Sequence, residues 1–179
     1  MTNGYIYKDV KRQEYRLLPN SKNIKTPLLI SSCLLGHNVK YDGTNNCLDL
    51  KTIEKLKEKY LLFDFCPEVV GGLPTPRIPC EIISQNPLRV IDKNGDEKTS
   101  NFIIGAKKTA EFCKSKGIKI ALMKANSPSC SNKFIYDGTF TSRKVKGYGI
   151  TVDKLSENNI IIKNEKEVES LYQRIENKC

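Results

Sequence analysis

The sequence predicts an α/β fold, a Rossmann-like three-layer sandwich with a mostly parallel sheet and a functional site at the C-terminal ends of the strands. Short apolar runs of strand length alternate with segments of helical periodicity, a pattern typical of a parallel sheet covered by helices on both faces. At 179 residues the chain is most simply one domain with a sizeable core. In such sheets, ligands bind where the carboxyl ends of neighbouring strands meet.

The first 26 residues differ in composition from the rest. They are polar and contain six basic residues against two acidic ones, and the whole chain has a net charge of +10. We therefore predict a basic N-terminal extension, residues 1–26, and a single α/β domain, residues 27–179. A second basic cluster comprises Lys133, Arg143, Lys144 and Lys146. Two interpretations stay open: lysine-rich faces that are only solvated, or a surface that binds RNA or another polyanion.

The sequence contains no membrane or export signal. No apolar run reaches the length of a transmembrane helix, and the N-terminus lacks the apolar stretch of a signal peptide. We therefore expect no membrane association and a reducing, cytoplasmic location. In that compartment cysteines are more often metal-binding or catalytic than disulfide-bonded. Nothing in the sequence indicates the oligomeric state.

The first half of the domain predicts two strands separated by a helix. Strands are expected at about 27–32 and 60–65, and helical spacing of apolar residues predicts a helix over 50–59. Residues 66–80 follow as a long irregular stretch, because its prolines and glycines do not suit a helix or a central strand. Long ordered loops of this kind are usually functional.

The second half predicts a hairpin, a long helix, two strands and a charged C-terminal helix. In chain order, these elements are expected at about residues 88–96, 101–116, 118–123, 160–162 and 165–177. Thr99 or Ser100 is the expected cap of the long helix, and Gly117 is expected to end it.

Three of the seven cysteines follow apolar, strand-like runs: Cys33, Cys66 and Cys130. Because the ends of parallel strands meet in one crevice, we expect their thiols to converge. Three thiolates without a fourth predict a metal centre with one open position. A structural zinc site normally has four ligands, often in Cys-x2-Cys pairs, and this chain has no such pair and one histidine, His37. Three widely separated thiolates suit a [4Fe–4S] cluster better.

The other four cysteines are expected to have different roles. Cys113 lies on the apolar side of the long helix and is expected to be a core residue. Cys47 lies in a polar loop, and Cys179 is the last residue. Cys80 ends the proline-rich stretch, from where it can approach the site.

Several motifs follow one another in a specific order. They are SCLLG at 32–36, VKYDG at 39–43, CPEVVGGLPTPR at 66–77, SPSC at 127–130 and YDGTF at 136–140. Over residues 27–162, this order closely resembles the TudS-like thiouracil desulfidase family. The resemblance implies an oxygen-sensitive [4Fe–4S] cluster on Cys33, Cys66 and Cys130 with one open iron. It also implies removal of sulfur from a small thiolated pyrimidine, of 2-thiouracil or 4-thiouracil type, to give the oxo base and sulfide.

Two polar residues beside these cysteines are the candidate catalytic residues. Glu68 is expected to orient and deprotonate the attacking water, the alternative being a turn carboxylate. Ser127 is expected to hydrogen-bond the pyrimidine base of the substrate or to pass a proton, the alternative being that it only forms a turn. Arg77 suits an anionic substrate and a carboxylate partner equally well. The repeated Tyr-Asp-Gly at 41–43 and 136–138 is most simply read as two turns.

Two departures from the family leave alternatives open. Residues 1–26 have no counterpart in the family core, and Cys80 stands where a small residue is expected. Some relatives act on thiouridine in tRNA through an additional C-terminal domain that this chain lacks. The alternatives are therefore a tRNA-acting desulfidase and a non-catalytic iron–sulfur protein that senses or handles sulfur.

Overall fold

The computed structural model describes residues 24–173. In chain order the elements are β1 (Thr26–Ser31), α1 (Leu50–Lys59), β2 (Tyr60–Phe65), α2 (Pro67–Val70), β3 (Cys80–Gln85), β4 (Leu88–Asp92), α3 (Thr99–Ser115), β5 (Ile120–Met123), β6 (Phe134–Tyr136), β7 (Lys144–Lys146), α4 (Ile150–Glu157), β8 (Ile161–Asn164) and α5 (Glu169–Gln173). Short 3₁₀ turns follow β1 at Ser32–Leu35 and β8 at Glu165–Glu167.

Four strands form the central sheet, in the order β2-β1-β5-β8, and every neighbouring pair is parallel. Leu28 in the second-placed strand pairs with Leu62 on one side and with Ile120 on the other. The carboxyl ends of β2, β1 and β5 therefore lie side by side at one edge of the sheet. The predicted mostly parallel sheet is confirmed.

Helices cover both faces of this sheet. Successive residues of a strand point to opposite faces, and β1 shows this clearly. Leu29 packs in a core cluster with Cys113 of α3 and Leu155 of α4. Its neighbour Leu28 packs in a second cluster with Leu56 of α1 and Leu171 of α5. The sheet and its two helical layers form the predicted three-layer sandwich.

Two antiparallel hairpins, β3–β4 and β6–β7, lie outside the central sheet. They share a third apolar cluster with α3, in which Val90, Ile135 and Phe102 are buried. This packing brings the start of β3 and the segment after Cys130 next to the sheet edge where the three cysteines lie. The hairpins therefore help to line the site.

The predicted elements occur with small shifts, and several others were not predicted. The hairpin predicted over residues 88–96 covers strand β4 but not β3, which is the strand that pairs with it. The hairpin β6–β7 and helix α4 were not predicted. A one-turn helix, α2, begins at Pro67 inside the stretch expected to be irregular, since proline is favoured in the first helical turn. The expected cap of α3 was wrong: the N-cap is Lys98. Thr99 is the first helical residue and its hydroxyl accepts from the Val90 amide.

The predicted chain ends are only partly described. Thr26 already belongs to β1, and residues 1–23 of the predicted extension lie outside the described residues. The predicted C-terminal helix over 165–177 is a 3₁₀ turn followed by α5, and its last part also lies outside them. Within residues 24–173, no helix is long and apolar enough to cross a membrane.

Candidate functional site

Three adjacent parallel strands each deliver one cysteine to the same cavity. Cys33 lies in the 3₁₀ turn after β1, Cys66 directly follows β2, and Cys130 follows the loop after β5. All three line a cavity of about 450 Å³, a size typical of small-molecule sites. Cys33 and Cys130 are buried, and Cys66 is partly buried. The structure thus brings together the cysteines that the strand pattern singled out.

Burial sets the protonation of these thiols. Loss of hydration raises the pKa of the Cys33 thiol to about 11 and also raises the pKa of Cys66. It raises the pKa of Cys130 as well, and the nearby Glu68, Cys66 and Cys33 push that pKa further in the same direction. Without a bound cation, burial therefore favours the neutral form of all three thiols. A positively charged centre is needed to hold them as thiolates.

The donor atoms that Cys33, Cys66 and Cys130 offer to a metal centre in the cavity are three thiols. Within residues 24–173, no three Cys, His, Asp or Glu side chains form a group that would hold a single metal ion. In an iron–sulfur cluster each thiolate binds a different iron, so the ligands do not need to converge. Soft sulfur donors also match this kind of centre. These three soft thiol donors of the cavity therefore fit an iron–sulfur cluster.

In the same cavity, Glu68 and Arg77 form a largely buried ion pair. Oε2 of Glu68 accepts from Nη2 of Arg77 at 2.7 Å and from Nε at 3.0 Å. The two side chains are only 14% and 7% exposed. Arg77 Nη2 also donates to the carbonyl of Val39 at 3.2 Å. Of the two roles considered for Arg77, the structure shows the carboxylate partner.

Ser127 connects this ion pair to the Cys130 loop. Its hydroxyl donates to Oε1 of Glu68 at 3.2 Å. The same oxygen accepts from the backbone N–H groups of Ser129 and Cys130, both at 3.1 Å. Ser127 is therefore both a turn-forming residue and a partner of Glu68. Because its oxygen accepts two N–H bonds, its one proton is directed at the carboxylate.

Close backbone packing fixes the turn that carries Glu68. A Cβ atom added at Gly71 would lie 2.2 Å from the carbonyl oxygen of Asn101, and one at Gly105 would lie 2.1 Å from that of Pro67. Asn101 Nδ2 also donates to the Gly71 carbonyl at 2.9 Å. The one-turn helix α2 therefore rests directly on the backbone of α3, which only glycine permits at these two positions.

The remaining cysteines differ in their access to the cavity. Cys80 also lines it, and burial followed by the charge of Glu68 raises its pKa to about 12. Cys113 is fully buried in the core, as predicted, and Cys47 is exposed and does not line the cavity. Cys179 lies outside the described residues.

A second buried carboxylate, Glu81, was missed by the sequence reasoning. It is 7% exposed, lines the cavity, and accepts from the N–H groups of Gly138 at 2.9 Å and Phe140 at 3.1 Å. A single glutamate at the start of a strand is normally read as a solvent-facing residue. The only signal was indirect: the YDGTF motif has two N–H groups that need an acceptor.

The second basic cluster does not itself line the cavity and is partly neutralised. Lys133 pairs with Glu167 at 3.0 Å, and Arg143 pairs with Asp137 at 3.6 Å. None of the four basic residues of this cluster lines the cavity.

Comparisons with known proteins agree with the geometry. A family model described as 2-thiouracil desulfurase matches residues 28–167. The uncharacterized protein YbbK of Bacillus subtilis (strain 168) is 32% identical over 151 residues, covering 80% of this chain and 99% of YbbK. A solved structure of the [4Fe-4S]-dependent thiouracil desulfidase TudS superposes with a TM-score of 0.79 at 34% identity, covering 85% of this chain and 99% of TudS. With its fold and most of its length matched, the chain belongs to the 2-thiouracil desulfurase family.

Proposed function

We propose that this chain is a [4Fe–4S]-dependent desulfidase that converts a thiolated pyrimidine, of 2-thiouracil or 4-thiouracil type, into the oxo base and sulfide. Cys33, Cys66 and Cys130 hold the cluster and leave one iron open. The observation that carries this proposal is the meeting of three strand-end thiols and the Glu68–Arg77 pair in one cavity. Membership in the family supports the reaction class.

The cluster and the protein have separate tasks in this reaction. When bound, the cluster supplies a Lewis-acidic iron with a free position for the soft sulfur of the substrate. The protein positions the attacking water and moves the protons. In the balanced reaction, a thiocarbonyl and water give a carbonyl and hydrogen sulfide, with no change of oxidation state.

Glu68 is the general base. Arg77 holds Oε2 through two hydrogen bonds, so the carboxylate keeps one orientation. Oε1 accepts one hydrogen bond from Ser127 and has a second lone pair for the attacking water. Glu68 takes a proton from that water as its oxygen bonds to the ring carbon, and returns the proton to the departing sulfur.

Ser127 positions the base and links it to the cysteine loop. Its two N–H contacts fix the oxygen, and its O–H keeps Oε1 of Glu68 facing the cavity. Both lone pairs of its oxygen accept N–H groups and its proton points at Glu68, so Ser127 has no free lone pair with which to take up a proton, and its role in this proposal is to position the carboxylate.

We further propose that residues 27–179 form one α/β desulfidase domain, with residues 1–26 as an extension outside it. The sheet begins at Thr26 and the family match begins at residue 28, which supports this division. Limited proteolysis of the anaerobically purified chain tests it. Cleavage before residue 27 with retained sulfide release is expected, and loss of activity on cleavage would contradict it.

Anaerobic purification with iron and sulfide analysis, followed by incubation with 2-thiouracil and 4-thiouracil, tests the activity. About four irons per chain and sulfide release are expected. A cluster without sulfide release from any thiolated base would indicate a non-catalytic iron–sulfur protein. Turnover of thiolated tRNA alone, falling steeply with added salt, would indicate the tRNA-acting alternative. Absence of iron after anaerobic reconstitution would overturn the proposal.

Serine variants test the ligand assignment. Replacing Cys33, Cys66 or Cys130 is expected to abolish iron binding, measured as iron per chain and as the visible absorption of the cluster. Two matched controls are expected to keep the iron: Cys80→Ser inside the cavity and Cys47→Ser outside it. If Cys80→Ser lost the cluster as fully as the other three, the open iron would be disproved.

A further inference from the structure

The two Tyr-Asp-Gly-Thr sequences, at 41–44 and 136–139, form the same turn. In the first, Asp42 Oδ1 accepts from the N–H of Thr44 at 3.0 Å and from its hydroxyl at 2.7 Å. In the second, Asp137 Oδ1 accepts from the N–H of Thr139 at 3.1 Å and from its hydroxyl at 2.6 Å. The glycines that follow the aspartates both have positive φ, 76° and 89°. The chain thus builds one local structure twice.

Both turns present their tyrosine to the cavity. Tyr41 lies in the loop after β1, and Tyr136 ends β6, yet both line the cavity that contains the three thiols. Each ring also has a lysine ammonium near its face: Lys40 lies 5.9 Å from the Tyr41 centroid, and Lys144 lies 5.5 Å from that of Tyr136. Cation–π contacts of this kind restrict where the rings lie.

One short segment, residues 77–81, holds both turns. Its first residue, Arg77, donates its backbone N–H to the carbonyl of Tyr41 at 2.7 Å. Its last residue, Glu81, accepts from the N–H groups of Gly138 and Phe140. The guanidinium of the same arginine holds the general base. The positions of the two tyrosines are therefore tied to each other and to the catalytic carboxylate.

We propose that Tyr41 and Tyr136 bind the ring of the substrate by stacking and so restrict the site to planar, aromatic thiones. This rests on the proposed function and specifies its substrate class. Aromatic side chains stack on the face of any nucleobase, largely independently of its exocyclic groups. Two tyrosines therefore accept pyrimidines with sulfur at either position but disfavour a puckered, saturated ring. The polar groups of the cavity are left to orient the thiocarbonyl.

Steady-state kinetics with a matched pair of substrates test this assignment. 2-Thiouracil is planar and aromatic, whereas 5,6-dihydro-2-thiouracil has the same thioureide on a puckered ring. Tyr41→Leu and Tyr136→Leu are each expected to raise KM for 2-thiouracil roughly 10-fold, with kcat changed less than about 2-fold. Their KM for the dihydro compound is expected to stay near that of the wild type, which itself already disfavours this compound.

Control variants separate stacking from structure. Tyr41→Phe and Tyr136→Phe keep an aromatic face and are expected to retain the wild-type KM. Tyr148→Leu removes a tyrosine that is 55% exposed and does not line the cavity, and is expected to have no effect. If a leucine variant fails to fold, judged by its thermal transition, equal wild-type kcat/KM for the two substrates would still overturn the proposal.

Binding of uracil, measured by calorimetry on the anaerobically purified chain, gives a readout without turnover. The leucine variants are expected to weaken this binding roughly 10-fold, and the phenylalanine variants are not. Tyrosine-dependent uracil binding by a chain without desulfidase activity would support the stacking pair and contradict the proposed reaction. Normal desulfidation with unchanged KM and uracil binding in both leucine variants would overturn the stacking pair alone. No uracil binding by the wild type would also overturn it.

Discussion

Two kinds of ionisable group in the cavity, the Glu68 carboxylate with its partners (the carboxylate side) and the cysteine thiols (the sulfur side), become charged in different ways. The Glu68 carboxylate is held by groups of the protein itself, because Arg77 donates to one of its oxygens and Ser127 donates to the other. The thiols of Cys33 and Cys130 are buried, and burial favours their neutral form until a cation binds. The comparison shows that contacts within the protein fix the orientation of the carboxylate, whereas the thiols depend on a bound cation for their charge.

Glu68→Gln is the strongest way to separate the two sides. The amide keeps the size of the side chain but removes its basicity, so kcat is expected to fall about 10²-fold or more. Iron content and visible absorption are expected to match the wild type, because the thiols are untouched. Sulfide release and iron analysis on the same sample measure both. Normal turnover in this variant would rule out Glu68 as the general base.

Ser127→Ala is expected to have the next largest effect, because it weakens the link between the two sides. It removes the hydrogen bond to Glu68 and the acceptor for two backbone N–H groups of the Cys130 loop. Loss of the single hydrogen bond to Glu68, about 1–1.5 kcal/mol, corresponds to a roughly 10-fold lower kcat. Ser127→Thr keeps the hydroxyl and serves as the matched control. Equal kcat for all three chains would contradict the positioning role.

The pH dependence of stability probes the sulfur side alone. Below about pH 9 the thiol is protonated in both folded and unfolded chains, so the stabilisation from the raised pKa of Cys33 is fully present. It is lost as pH rises through the folded value of about 11. We expect the cluster-free chain to lose about 1 kcal/mol through Cys33 alone at pH 10. Urea unfolding of wild type and Cys33→Ala at pH 7 and 10 measures this difference, and parallel pH profiles would contradict it.

The smallest predicted effect is on KM and distinguishes the two Tyr-Asp-Gly-Thr turns, at 41–44 and 136–139. An alanine Cβ at Gly138 would lie 2.9 Å from the Ile82 carbonyl oxygen, whereas the nearest atom at Gly43 is 3.9 Å away. Both glycines have positive φ, so each substitution costs about 1–2 kcal/mol from backbone strain. Only Gly138→Ala must also displace its turn, and we expect it alone to raise KM for 2-thiouracil, by several-fold. Equal KM values for the two variants would show that the position of the second turn does not matter for binding.

Sequence reasoning succeeded where a residue's role follows from local pattern. Strands β1 and β2 are largely apolar runs of strand length, and the cysteines after them were located by that pattern alone. It failed where the role depends on a distant partner. Strand β3 was missed because it directly follows a proline-rich stretch that was expected to be irregular. The burial of Glu81 was missed because the backbone groups that it accepts from lie more than fifty residues away.

Site residues show the same division. Glu68 was singled out from its distance to Cys66 along the chain. Its bond to Ser127 joins residues 59 positions apart and becomes visible only in the fold. The cap of α3 was misassigned for the same reason: Thr99 interacts with the neighbouring strand β4 and lies one position inside the helix.

The contact of Gly105 with Pro67 limits how this protein can be made more thermostable. Glycine inside a helix normally costs about 0.5–1 kcal/mol relative to alanine, so such positions are usual targets for stabilising substitutions. Gly105 lies within α3, but its missing Cβ is the space that the turn bearing Glu68 occupies. Glycine at this position weakens the helix but leaves room for the turn that holds Glu68 in position. Replacing Gly105 with alanine would displace that turn and would not stabilise the protein, because the clash with Pro67 would cancel the gain in helix propensity.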